Sequence, residues 1–283
     1  MQGLSTHPPL PVRIPRKGAL MPREEIPMRD RIIDLLSSTE QNGWISGEKL
    51  AADLGLTRAA LSKHMATIRE EGDIVESAPG HGYRLICPAD PWAGHDVQKS
   101  LRTSILGQER WIWLNDGAAI NQTAVLEAMQ EAPEGVVVVA RRQNEGLDSE
   151  DFCWRNLPGT LTFAVILRVD WPADRLAEFT LLVQEACTAA VLDFDGPELE
   201  CRKPNDLYLD GRKVGSIHIQ SMFHNDIMRW AVIGVGLNVN TPADAFPEAL
   251  AESASSLYVQ TGRGFSIPGI LRSLLEELER RIG

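Results

Sequence analysis

The stretch Lys203-Pro204-Asn205-Asp206-Leu207-Tyr208-Leu209-Asp210-Gly211-Arg212-Lys213-Val214-Gly215-Ser216-Ile217 decides the fold of the larger part of this chain. Asp210-Gly211 separates two apolar runs, and both residues tolerate the positive φ that a two-residue hairpin turn demands. Strands are therefore expected over residues 206–209 and 213–220. Working outward, residues 230–239 read as a further strand. So do residues 161–169, residues 135–140 with Val136, Val137, Val138 and Val139 in an unbroken buried run, and residues 111–114. Helical spacing of apolar residues predicts helices over 121–130, 176–192 and 270–282. Strands in pairs with helices between them point to an α+β domain with a mixed sheet, not a doubly wound one. This domain is expected over residues 109–283.

Composition bounds the function classes. Of 283 residues, 43% are hydrophobic and 24% charged, which suits a globular protein of two domains. No apolar run approaches the roughly 18 residues a membrane helix needs, and residues 1–27 lack the apolar segment of a signal peptide. A cytoplasmic protein without a membrane partner is the expectation. Cys87, Cys153, Cys187 and Cys201 are far apart, with no CxxC pair. That argues against a disulfide framework or a zinc site, so no metal ligands are expected. The formal net charge is −11. Phosphate contacts supply most non-specific DNA affinity, so any nucleic-acid binding must come from a local surface.

The N-terminal third has such a surface. Residues 1–27 contain six prolines and read as a disordered leader, with a basic arm as the alternative. Residues 28–87 read as a small domain, and residues 88–108 as a linker that ends in a polar helix start. Ile32, Ile33, Leu35 and Leu36 mark a first helix. Ser46 is a suitable N-cap for a second, over residues 47–54, and Gly55 ends it. Ala51 and Ala52 are small where helices would cross. Thr57 caps a third helix that runs to about residue 71. Two short strands follow around Pro79-Gly80-His81-Gly82. Helix, tight turn, helix and β-hairpin wing form a pattern that places the N-terminal residues of the last helix in a major groove. Those residues are Thr57, Arg58, Ser62, Lys63 and His64. Arg58 and Lys63 can bond guanine or phosphate, and His81 and Arg84 on the wing can reach a flanking phosphate. Residues 28–87 carry seven Lys/Arg against nine Asp/Glu, so one copy is expected to bind DNA weakly.

The run from Ser46-Gly47-Glu48-Lys49-Leu50 through Leu56-Thr57-Arg58-Ala59-Ala60 and Lys63-His64 to Pro79-Gly80-His81-Gly82-Tyr83-Arg84-Leu85 resembles the N-terminal domain of biotin operon repressors. The series Lys203 to Leu209, Arg212 to Ile217 and Gly234-Val235-Gly236-Leu237-Asn238-Val239-Asn240 resembles the central strands of biotin protein ligases, in the same order. The resemblance covers residues 28–283. It implies a winged helix joined to a ligase-type domain, and chemistry that joins biotin's carboxylate to the α-phosphate of ATP and then passes the acyl group to a carrier lysine. Charge builds up in such a step, so the family supplies cations, backbone donors and Mg²⁺. The resemblance assigns Asn121, Gln143, Gly146, Asn205, Asp206, Lys213, Gly215 and Asn238 to biotin and ATP. Arg202 stands at the family's catalytic lysine position.

The chain departs from the family pattern at several places. The family's glycine- and arginine-rich loop reads here as residues 141–151, with Glu145, Asp148, Glu150 and Asp151 where arginines are expected. A carboxylate about 4 Å from a phosphate costs on the order of 4 kcal/mol at an effective dielectric of 20. Lys203 replaces the family's tryptophan, and Ala119-Ile120 replace its hydroxyl pair. The chain ends at Gly283, so the small C-terminal barrel of bifunctional members is expected to be absent. For Asn205, Asp206 and Asn238 a purely structural role at strand ends stands beside the ligand-binding one. Cys201 and Cys153 lie near the expected site, either as a thiol acyl carrier like that of the related octanoyl transferases or as inert thiols. Two functions remain open from sequence. One is a dimeric DNA-binding regulator whose ligase-type domain senses a biotin-like acid or only dimerises. The other is an active biotin or lipoate-type ligase acting on a carrier domain, in which Asp148 or Glu150 holds Mg²⁺.

Overall fold

The computed structural model describes residues 28–37, 43–70, 73–88, 92, 97–114, 120–140 and 157–282. The leader, residues 1–27, and the loop 141–151 lie outside them.

The N-terminal unit is α1 (Met28–Ser37), α2 (Gly47–Leu54), α3 (Arg58–Glu70), β1 (Ile74–Ala78) and β2 (Gly82–Cys87). Local chemistry sets its boundaries. Ser46 has extended backbone, and its side chain accepts from the Lys49 N–H. Gly55 is left-handed at φ 67° and returns its N–H to the Ala51 and Ala52 carbonyls, which closes α2. Thr57 Oγ1 accepts from the Ala60 N–H at 3.2 Å and opens α3. Ile32, Leu36, Leu50, Leu61, Met65, Ile68 and Val75 fill the core. Ala51 joins them, but Ala52, expected at the same crossing, is exposed. The wing pairs with the chain before α2: Ile45 and Tyr83 exchange both main-chain bonds, at 2.9 and 2.8 Å. Gly82 permits that approach, because a Cβ there would sit 2.0 Å from the Ile45 carbonyl oxygen.

The second unit contains α4 (Val97–Ser100), β3 (Trp111–Leu114), α5 (Ile120–Met129), β4 (Val137–Ala140), β5 (Thr160–Leu167), β6 (Trp171–Pro172), α6 (Leu176–Leu192), β7 (Glu200–Arg202), β8 (Asp206–Leu209), β9 (Arg212–His224), β10 (Ile227–Asn238), α7 (Leu257–Thr261) and α8 (Ile267–Ile282). The sheet order is β3-β4-β5-β10-β9-β8-β7, with β6 also on β10. Among the described strands only β3 and β4 run parallel; the other pairs are antiparallel. The mixed sheet is as the sequence pattern requires. The short strands β6 and β7 and the helices α4 and α7 were not legible, because none reaches two turns or carries a periodic apolar face.

One sheet face packs against α6 and α8 through Phe163, Val165, Phe179, Val183, Ile233, Leu271 and Leu274 among others. Among the described residues the opposite face carries only α5, seated over Val136, Val138, Ala164, Ile166 and Val232. Within that set the sheet is therefore packed by two long helices on one side and by one helix on the other.

Residues 97–108 correct the expected linker. Val97 and Leu106 belong to the main core, as does Trp92. Glu279 on α8 accepts the main-chain N–H groups of Ser104, Ile105 (2.9 Å) and Leu106 (2.8 Å). Burial works against the Glu279 charge, but these donors outweigh it and hold the carboxyl below its usual range. Nearby Glu134 is raised, chiefly by burial. A carboxyl depressed on folding stabilises the fold above its unfolded pKa, near 4.3, and that contribution is lost as pH falls through the lower folded value. Glu279→Ala is expected to cost about 2–4 kcal/mol in urea unfolding at pH 7. The gap to wild type should shrink as pH is lowered below about 4. A gap that does not change with pH would show that the carboxylate charge plays no part.

Candidate DNA interface and ligand face

Two surfaces carry the expected chemistry. At the first, α3 turns its early polar residues outward: Arg58, Ser62 and Lys63 are exposed and His64 half-buried, while Leu61 and Met65 point into the core. A groove of about 640 Å³ runs between the starts of α2 and α3 and the wing, lined by Ser46, Glu48, Arg58, Pro79 and Tyr83 among others. The sequence placed Arg58 there without its partner. Glu48 Oε2 accepts from Arg58 at 2.7 Å, and both side chains are largely exposed, so DNA has only a weak surface pair to displace. Thr57 spends its hydroxyl on capping α3. His81 stays exposed at the wing tip, tilted over Trp44 at 5.6 Å.

Arg84 departs from expectation. Its guanidinium donates to Glu76 Oε2 at 2.7 Å, to the Gly262 carbonyl at 3.1 Å and to the Tyr258 hydroxyl at 3.3 Å. It lies 4.9 Å from the centre of the Trp44 ring. The side chain is 14% exposed. It is fastened to the second unit and is not presented to a phosphate.

The second surface is the sheet face that α5 leaves open. Leu207, Leu209, Ile217, Ile233 and Val235 point toward α6 and α8. Strand alternation then sends Asp206, Tyr208, Ser216, His218, Gly234 and Gly236 to the open side. There Asp206 Oδ1 accepts from Ser216 at 2.9 Å and pairs with Lys213 Nζ at 2.8 Å. Asn205 Oδ1 accepts from Gln184 at 3.2 Å, and its carbonyl from the Ile217 N–H. Asn205 thus ties the turn before β8 to α6 and β9. Asn121, at the start of α5, lies over Gly234: a Cβ on that glycine would stand 2.0 Å from Asn121 Oδ1. That oxygen is buried and, among the described residues, has no hydrogen-bond partner. Opposite Gly234 on β9 is His218, whose imidazole burial pushes below its usual range.

Other expected site residues take structural positions. Asn238 is buried; it donates to the Ser255 carbonyl at 3.0 Å, and its oxygen accepts from Thr160 at 3.2 Å. The structure favours its strand-end role. A side chain on Gly215 would strike Leu207 and Leu237 on the α6/α8 side, so this glycine serves packing. Arg202 is exposed on the edge strand β7, fixed by Glu200 at 2.8 and 2.7 Å and stacked 4.3 Å over Tyr208. Cys201 turns its sulfur to Thr188 on α6, on the far side from Arg202, and burial raises its thiol. Cys187 is buried and raised likewise. Thiols held protonated are poor acyl carriers. Gln143, Gly146, Cys153, Asp148 and Glu150 lie outside the described residues. Among the described residues no cluster of three metal-ligating side chains occurs, and no helix is long and apolar enough to cross a membrane.

Comparison with known proteins identifies both units. Residues 29–84 match the model of an HTH domain, and residues 117–238 that of the biotin/lipoate A/B protein ligase family. The bifunctional ligase/repressor BirA of Bacillus spizizenii is 31% identical over 255 residues, 90% of this chain and 78% of that protein. This chain belongs to the biotin/lipoate A/B protein ligase family. The BirA of Bacillus subtilis matches to the same extent, and that of Escherichia coli is 26% identical over 74% of this chain and 63% of its own length. As a biotin/lipoate ligase family member with an N-terminal helix-turn-helix, the chain has the two units in the order read from its sequence. Within the ligase-family unit, Tyr208, Ser216 and His218 join Asp206 on the open face. Sequence reasoning missed them, although counting alternate residues along the Asp210-Gly211 hairpin would have found them.

Proposed function

We propose that this protein is a DNA-binding transcriptional regulator of the biotin repressor type, whose ligase-type domain takes a biotin-like acid on its open sheet face. The observation that carries this is the winged helix with an outward-facing α3, in one chain with the ligase-family sheet. The test is a mobility-shift titration of the full chain with the DNA upstream of its own gene, against an unrelated duplex of equal length. Equal affinity for both would refute a specific regulator.

DNA binding as a homodimer through the second domain is part of this reading. One winged helix with more acidic than basic residues offers few phosphate contacts. Beyond Ser216, β9 has no partner strand on its β8 side among the described residues, while it continues to His224. Met222 and Phe223 there are 40% and 37% exposed. An open strand edge with apolar side chains favours pairing with a second copy. Footprinting is then expected to show two half-sites about 34 Å apart, or a multiple of that spacing. A single protected half-site at saturation would contradict the dimer.

A second reading is an active ligase that forms an acyl-adenylate from biotin and ATP and passes it to a carrier lysine. Its support is the name ligase/repressor of relatives aligned over 90% of the chain and the intact Asp206–Lys213 pair. Opposing it are the acidic loop and the engagement of Arg202 by Glu200.

A further inference from the structure

Arg84 sits where a DNA-binding wing would present a cation, yet it is spent on the other domain. Glu76 on β1 and Arg84 on β2 face each other across the wing. Both hold Tyr258 of α7: the Tyr258 hydroxyl donates to Glu76 Oε1, and Arg84 donates to that hydroxyl and to Gly262, which ends α7. The Arg84 guanidinium lies between two rings, 4.9 Å from Trp44 and 5.7 Å from Tyr258. Tyr258 itself is buried.

The other end of this segment is fastened to the open sheet face. Lys213, whose ammonium holds Asp206, bonds Ser253 and Ser255 through its main chain, each at 2.9 Å. Asn238 holds the Ser255 carbonyl at 3.0 Å, and the Tyr258 N–H reaches the Val239 carbonyl at 2.9 Å. Residues 253–262 therefore form one strap, with the ligand face at one end and the wing at the other.

We propose that the Glu76–Arg84–Tyr258 junction is a latch that makes the wing and this strap open and close as one unit. Displacement at the sheet face is then passed to the wing, and DNA held by the wing is felt at the strap. The physical basis is that Tyr258 is bonded to both Glu76 and Arg84, so its departure breaks the bonds of both to its hydroxyl at once and leaves the two paired with each other. Coupling between distant sites needs such an element with two arrangements. The link to DNA rests on the proposed regulator; the latch itself does not.

Hydrogen-exchange mass spectrometry on the full chain tests it, with wild type, Tyr258→Phe and Glu76→Gln. Tyr258→Phe removes the hydroxyl and Glu76→Gln replaces the carboxylate with a neutral amide, and each keeps the side chain's bulk. In either variant, amides of residues 82–86 and of 257–262 are expected to exchange about fivefold faster or more, while residues 231–237 in β10 stay as in wild type. Faster exchange only in the segment that carries the substitution would overturn the latch. With the upstream duplex added, wild type is expected to gain protection at 257–262, and Tyr258→Phe is not. Fluorescence anisotropy on the same samples reports DNA binding separately. Absence of binding defeats the regulator reading, while exchange in the free protein still decides the latch. Binding by wild type without protection at 257–262 would overturn the transmission to the strap.

Discussion

Deleting residues 1–87 is expected to abolish binding to the DNA upstream of the protein's own gene. What remains, residues 88–283, carries 17 Lys/Arg against 28 Asp/Glu and so holds the whole net charge of −11. That surface repels a phosphate backbone. The exposed start of α3 goes with the deleted part. Circular dichroism must show that the truncated domain stays folded, since it also loses the contacts of Arg84 with Tyr258 and Gly262. If it is folded and binds as well as the full chain, the interface is wrongly placed. Single substitutions divide the surface further. Arg58→Ala is expected to cost about 1–3 kcal/mol and to relax sequence preference if Arg58 reads a base edge. Lys63→Ala is expected to weaken all sequences alike and to lower the salt slope by about one.

Adenylation of biotin is expected to be absent, or slower by orders of magnitude than in an ordinary ligase. Each donor lost from a developing oxyanion costs about 10² to 10³ in rate, and the residues at 141–151 lead us to expect the loss of more than one. Glu145, Asp148, Glu150 and Asp151 occupy the loop that carries arginines in the family pattern. Arg202, at the family's lysine position, is held by Glu200 in two bonds and stacked on Tyr208, on an exposed edge strand. A planar guanidinium so engaged cannot act as a compact ammonium. Binding can outlive the chemistry, because burial of a small acid needs shape more than charge. Calorimetry with biotin is therefore expected to detect binding, while mass spectrometry after incubation with ATP, Mg²⁺ and biotin finds no acyl-adenylate. Robust biotinylation of a carrier domain by the purified wild-type protein would overturn this expectation.

The sequence by itself determined whatever is written within about four residues. Ser46 caps α2, Gly55 ends it and Thr57 opens α3, each through bonds to main-chain groups two to four positions away. Asp210-Gly211 turns β8 into β9 with both residues at positive φ. The pairing of apolar runs around this turn, with helical stretches between other strands, is enough to recognise an α+β domain with a mixed sheet. Tertiary structure alone decided what the polar residues do. Arg84 reads as a DNA contact until Gly262 and Tyr258, more than 170 positions later, claim it. Residues 97–108 read as a linker until Glu279 gathers three of their N–H groups. Asn238 and Gly215 read as ligand contacts until Ser255, Leu207 and Leu237 close around them. A polar side chain takes the partner that the folded chain brings within about 3 Å, and its bonding capacity is the same whether that partner is protein or ligand. The residue type records the capacity; only the packing of distant segments fixes how it is used.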